Sequence, residues 1–154
     1  MRANQAGPCP LCSEDGGRVV WRSAEWRLVH AGEAAFPAFY RLICNRHVAE
    51  WSDLAASERA LVMEGVTLVE CLLREHLQPA KINLATLGNV VPHLHWHVIA
   101  RFDWDSHFPN PVWGAAVRPS PKEQLDAVAQ ALPALELALA SGLEAHFTQG
   151  GSHG

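Results

Sequence analysis

The chain has 154 residues, 49% of them hydrophobic and 18% charged, with a formal net charge of −4. That length fits one domain with its own core, and the acidic balance gives no general attraction to nucleic-acid polymers or acidic membranes. No apolar run approaches the roughly 20 residues of a membrane span; Met1-Arg2-Ala3-Asn4-Gln5 lacks a signal-peptide core, so a cytoplasmic location is expected.

The stretch through Gly16-Gly17 is rich in Gly, Pro and Cys and reads as a knuckle or loop carrying Cys9 and Cys12. Two short strands follow, Gly17–Arg22 and Glu25–His30, and Phe39–Cys44 reads as a third, largely buried strand. From Ser57 to Leu77 the period changes: Leu61, Gly65, Leu68 and Leu72 recur at helical spacing, with Ser57 as the cap and Pro79 as the stop. Strands over Lys81–Leu87 and His93–Arg101 come next, with a turn at Gly88-Asn89. The aromatic and proline-rich loop from Asp103 to Gly114 is expected to bury Phe108 and Trp113 against the sheet. Ser120-Pro121-Lys122-Glu123 is a capping box opening a second helix, carried on by Leu125, Val128, Leu132, Leu135, Leu139 and Leu143, with a kink expected at Pro133. The order predicts an α+β domain on an antiparallel sheet over residues 1–118. A C-terminal helical extension over 119–147 and a frayed tail over 148–154 complete the chain.

The most informative stretch is His93-Leu94-His95-Trp96-His97-Val98-Ile99. Its period of two projects all three imidazoles from one face of a strand and turns Leu94, Trp96 and Val98 to the other, buried face. Imidazole suits two jobs here, ligating zinc through a ring nitrogen or attacking phosphorus as a neutral nucleophile. Cys44 and Cys71 read as small buried hydrophobes. Cys9 and Cys12 precede all regular structure, unlike a redox pair at a helix start after a strand, which leaves two loop thiols or a metal knuckle.

The pattern His-φ-His-φ-His-φ-φ, with φ apolar and filled by Leu94, Trp96, Val98 and Ile99, resembles the histidine triad (HIT) family. The Cys9/Cys12 pair and the basic-His-apolar segment Arg46-His47-Val48 extend the resemblance over about residues 9 to 113. It implies a HIT-like fold: an antiparallel sheet of about five strands with one long helix packed on it, here with an additional C-terminal helix. It further implies the zinc-containing type resembling diadenosine polyphosphate hydrolases, in which Cys9, Cys12, His47 and His93 would hold a structural Zn2+.

By the same resemblance His95 is the nucleophile that attacks the α-phosphorus of a nucleotide. Its other ring nitrogen would be protonated and held by an acceptor such as a backbone carbonyl within the strand. His97 would bond the phosphate and the leaving-group oxygen. Substrates would be dinucleoside polyphosphates such as diadenosine tetraphosphate, or nucleoside phosphoramidates, and the protein would be a homodimer. The chain departs from the family pattern at several points. Asn89 stands in for a glutamine as a phosphate contact, Val90 occupies a hydroxyl position, and Asn83 is a second candidate substrate contact. Ala31 lies near an acidic ribose-binding position, and Phe39 lies where some members carry an extra histidine. Two rival readings remain: a metal-dependent hydrolase whose histidines ligate a catalytic zinc, and a nucleotide-binding module without catalysis.

Overall fold

A computed structural model describes residues 8–150. A single helical turn, α1 (Pro10–Ser13), precedes three strands, β1 (Arg18–Arg22), β2 (Trp26–His30) and β3 (Phe39–Cys44). Helix α2 (Ala56–Leu77), strands β4 (Lys81–Ala85) and β5 (His95–Arg101), and helix α3 (Lys122–Gly150) follow. The strands form one antiparallel sheet in the order β1-β2-β3-β5-β4. This is the α+β architecture expected, with five strands and two long helices.

The two faces of the sheet differ in kind. Leu28, Tyr40, Leu42, Cys44, Val98 and Ala100 share one face and join the main apolar core. Val62, Val66, Val69 and Leu73 of α2 and Leu132, Leu135, Leu139 and Leu143 of α3 close over them. Each fully buried leucine or valine there contributes on the order of 1.5–3 kcal/mol relative to exposure. The other face carries His95, His97, Ile99 and Arg101 on β5, with Phe39, Arg41 and Ile43 paired to the first three across β3. It holds only a small apolar cluster of Phe36, Phe39 and Ile99. Ile43 and Val29 are also buried on that face, and His95, His97, Arg41 and Arg101 supply its polar part.

The first long helix starts differently from its expected cap. Ala55, not Ser57, is the N-cap residue, and the Glu58 carboxylate accepts the Ala55 N–H at 2.8 Å while also pairing with Arg46 at 2.7 Å. Gln78, in the left-handed region at φ 49°, ends the helix just before Pro79. The two long helices meet closely at Gly65, where an added Cβ would lie 3.1 Å from the Phe147 ring.

The C-terminal helix is longer than its sequence suggests. It continues through Pro133 to Gly150, past the expected end at residue 147, and the rest of the expected tail, 151–154, lies outside the described residues. Tyr40 and Arg18 hold it to the sheet: the Tyr40 hydroxyl donates to Glu136 at 3.0 Å, and Arg18 grips the same carboxylate with two bonds of 2.8 Å. Among the described residues no helix is long and apolar enough to cross a membrane.

Candidate functional site

The three histidines do not share one strand. β5 begins at His95, and His93 lies in the bend before it. Pairing runs on past the strand end through Cys44 N–H to Leu94 O at 3.1 Å and Leu94 N–H to Val48 O at 2.6 Å. That departure turns the His93 ring away from its neighbours and toward the N-terminal knuckle. The histidine face is no solvent face either: His93 is fully buried, His95 is 9% exposed and His97 5%. The opposite face keeps its expected apolar character at Leu94 and Val98, both buried, while Trp96 is half-buried.

At the knuckle, Cys9, Cys12, His47 and His93 converge, with their ligand atoms all within 4.8 Å of one another. Cys9 Sγ lies 3.3 Å from His93 Nδ1, Cys12 Sγ 3.3 Å from His47 Nδ1 and 3.5 Å from His93 Nδ1. A tetrahedral zinc with ordinary bond lengths separates sulfur from nitrogen by roughly 3.6 Å, so the spacing suits such an ion. The second nitrogen of His93 supports the same use. Nε2 donates to Cys44 O at 2.6 Å, which fixes the proton there and leaves the Nδ1 lone pair facing the thiols. Burial also lowers the His93 pKa, favouring the neutral, ligating form. Among the described residues this is the only such group of potential ligands, and it does not include His95 or His97. The triad thus does not assemble a three-histidine metal centre.

The knuckle is held down by side chains that the sequence reading passed over. Arg27 is 4% exposed and donates to Asp15 O at 2.9 Å, Leu11 O at 2.8 Å, Glu14 O at 3.3 Å and Asn45 Oδ1 at 3.0 Å. Arg41 donates to Gly16 O at 3.0 Å. Gly16 itself is at φ +82°, a region open to glycine, and an added Cβ would meet Leu11 at 2.6 Å. The signal for both arginines was in the sequence: each interrupts an apolar strand, at the register that faces the histidines.

A cleft of about 470 Å³ opens beside the knuckle, lined by Leu11, Arg41, Asn89, Val90, His95, His97 and Trp113 among others. The Nδ1–H of His95 donates to its own segment's His93 O at 2.5 Å. A carbonyl can only accept, so Nδ1 carries the proton and Nε2 keeps its lone pair. The acceptor is a backbone carbonyl, but it belongs to the bend before β5 and not to the strand itself. Burial lowers the His95 pKa, with the Arg41 charge adding to the effect. His97 is pushed down to about 3, first by burial, then by His95 and Arg41. Both rings are therefore neutral near pH 7. Their centroids are 4.8 Å apart, edge to face, and His97 Nδ1 is buried without a hydrogen-bond partner among the described residues.

Trp113 closes the other side of His97, ring centroids 5.1 Å apart, yet is itself 53% exposed. It walls the cleft instead of being buried against the sheet as expected. Its loop is anchored by Arg101, 2% exposed, which pairs with Asp105 at 2.8 and 3.1 Å and donates to Asn110 O at 2.8 Å. The same guanidinium donates to Asn83 Oδ1 at 2.9 Å. That bond ties Asn83 to the loop anchor, and Asn83 is not among the cleft-lining residues. Asn89 does line the cleft, and its neighbour Val90 is 87% exposed.

Residues 13–104 match the HIT domain family. Over 119 residues the chain is 29% identical to an AP-4-A phosphorylase of Mycobacterium tuberculosis, a match covering 71% of this chain and 60% of that protein. The match thus spans less than two thirds of the curated relative's length. A histidine triad protein from Bradyrhizobium japonicum shares 28% identity and the fold, with a TM-score of 0.63 over 77% of this chain and 90% of that one. A more distant Zn-bound histidine triad family protein from Mycobacterium smegmatis, 17% identical, has a TM-score of 0.53 over 84% of this chain and 96% of its own.

Proposed function

The chain belongs to the histidine triad (HIT) family, and from that premise we propose that it cleaves a nucleotide at its α-phosphate through a nucleotidyl-histidine intermediate on His95. The observation that carries this reading is the bond from His95 Nδ1–H to His93 O. It leaves Nε2 free to attack, and it strengthens as the ring gains positive charge on bonding phosphorus. The Nε2–P bond forms as the P–O bond to the leaving group breaks. Water, or another oxygen acceptor, then attacks the same phosphorus and the N–P bond breaks, restoring His95. A protonated leaving imidazole departs easily, which divides one difficult displacement into two.

Neutral His97 and Asn89 are the candidates to bond the phosphoryl oxygens, and Trp113 packs edge-on against His97 at one wall of the cleft. The substrate class is a dinucleoside polyphosphate, for which the likeness to an AP-4-A phosphorylase gives support, or a nucleoside phosphoramidate. Cys9, Cys12, His47 and His93 would hold zinc. When bound, the ion would supply a cross-link between the knuckle and the sheet, and no step of the chemistry passes through it.

The test is rapid quenching at neutral pH followed by mass spectrometry. A nucleotide adduct on His95 is expected, and His95→Ala should abolish both adduct and turnover. Full activity in that variant would end the mechanism. Tight nucleotide binding with no turnover on either substrate class would favour a binding module instead.

A further inference from the structure

Three arginines on the histidine face of the sheet or its covering knuckle are buried or half-buried, Arg27, Arg41 and Arg101, and Arg41 differs from the others in how its guanidinium is used. Arg27 spends its donors on four acceptors and Arg101 on Asp105, Asn83 and Asn110, while Arg18 is locked to Glu136. Among the described residues Arg41 has one hydrogen bond, to Gly16 O, and it lies over the Phe39 ring at 5.3 Å. A guanidinium carries five N–H donors, so most of its capacity is uncommitted. No carboxylate among the described residues lies within ion-pairing distance of it; Glu33 reaches it only through its field.

The position of this charge gives it meaning. Arg41 is the direct cross-strand partner of His97, so their Cβ atoms are about 5 Å apart on one face, and His95 is the diagonal neighbour at roughly 7–8 Å. All three line the same cleft. Among the described residues that line the cleft, Arg41 is the sole charged side chain. A half-buried charge with no counter-ion is costly to keep; an anion in the cleft offsets that cost.

We propose that Arg41 is the anion contact of this site, binding the phosphate group next to the phosphorus that His95 attacks and thereby setting specificity for substrates with more than one phosphate. The inference rests on the reading of His95 as the nucleophile. In the first step the P–O bond to the leaving phosphate breaks, and its oxygen departs with the bonding electron pair against the guanidinium. In the second step an acceptor attacks from the same side, so the subsite that releases one phosphate is placed to hold another. Two sources can therefore supply the same chemistry: the leaving phosphate chain, or inorganic phosphate acting as the acceptor and yielding a nucleoside diphosphate.

The experiment compares wild type with Arg41→Gln, which retains a donor for Gly16 O without the charge, and Arg41→Lys, which retains charge without the fork. The quantity read is the ratio of kcat/KM for diadenosine tetraphosphate to kcat/KM for adenosine 5′-phosphoramidate, which has no second phosphate. Arg41→Gln should lower that ratio at least tenfold, with Arg41→Lys in between. An unchanged ratio, whether both substrates slow together or neither does, overturns the proposal and leaves Arg41 as a clamp on the knuckle.

Added inorganic phosphate separates the two sources. ADP formation by wild type that falls toward AMP in Arg41→Gln identifies the acceptor, whereas AMP throughout, with the ratio still lowered, identifies the leaving phosphate. Calorimetric binding of pyrophosphate to wild type and to Arg41→Gln guards against failure of the underlying reading. If neither substrate is turned over, at least tenfold weaker pyrophosphate binding in the variant still supports Arg41 as the anion contact, and equal affinity overturns it.

Discussion

His97 offers a stringent test of how the fold sets charge in the cleft. Its ring is 5% exposed, Nδ1 has no described partner, and its pKa is held at about 3, by burial above all. An unfolded histidine titrates near 6.5. Between those values the unfolded chain binds a proton that the folded chain refuses, so stability is complete above the unfolded value and is lost as pH falls toward the folded one. At pH 5 an unfolded imidazole is roughly thirtyfold protonated over neutral, while the folded ring remains neutral. RT times the logarithm of that ratio is about 2 kcal/mol. The figure barely changes if the folded value lies a unit higher. His97→Asn removes the titration while keeping a small polar group in place. Urea unfolding of both proteins at pH 7 and pH 5 should show wild type losing about 2 kcal/mol more than the variant over that interval. Parallel losses would refute the claim that the fold keeps His97 neutral.

Three further outcomes follow from the geometry. Purified protein should carry one zinc per chain by elemental analysis, and Cys9→Ser with Cys12→Ser should remove it; turnover should persist below the lowered melting temperature, whereas metal-dependent turnover in a folded apo-protein would point to catalytic zinc. Arg27→Met should destabilise by about 3 kcal/mol, since several charge-assisted bonds to the knuckle are lost, and should hasten proteolysis within residues 8–17; Arg27→Lys should not restore resistance, because one ammonium does not span four acceptors. Leu139→Ala, at a position with no solvent exposure, should cost about 3 kcal/mol in urea unfolding with turnover per folded molecule unchanged.

Much of the site was legible because its residues sit at short, regular spacings. Alternation marked His95 and His97 as sharing a face, and the chemical types of Cys9, Cys12, His47 and His93 marked a metal set once the family pattern supplied their pairing. What escaped was set by contacts between distant segments. Arg27 and Arg41 could be read from their strands as sharing the histidine face, but it could not be read that a knuckle from residues 9–17 covers that side of the sheet and takes their donors. Asn83 was read for its type and strand alone, while its bond from Arg101, eighteen positions away, depends on the path of the loop after β5. Trp113 belongs to an irregular loop whose path depends on the Arg101–Asp105 pair, and no periodicity reports that. His93 leaves the strand because its ring is drawn to Cys9 and Cys12 and its Nε2 to Cys44 O, two demands from elsewhere in the chain.

His93 joins two tasks through two different parts of itself. Its ring faces the thiols, and its backbone carbonyl receives the proton of the neighbouring imidazole. Side-chain editing at position 93 therefore reaches the cross-link while leaving in place the oxygen that orients His95. A cysteine there would keep a ligand, and an alanine would discard it, yet either retains that carbonyl. In an engineered chain whose knuckle is trimmed away, the tautomer of the attacking ring depends on whether the bend at 93 keeps its shape, not on which residue is written there.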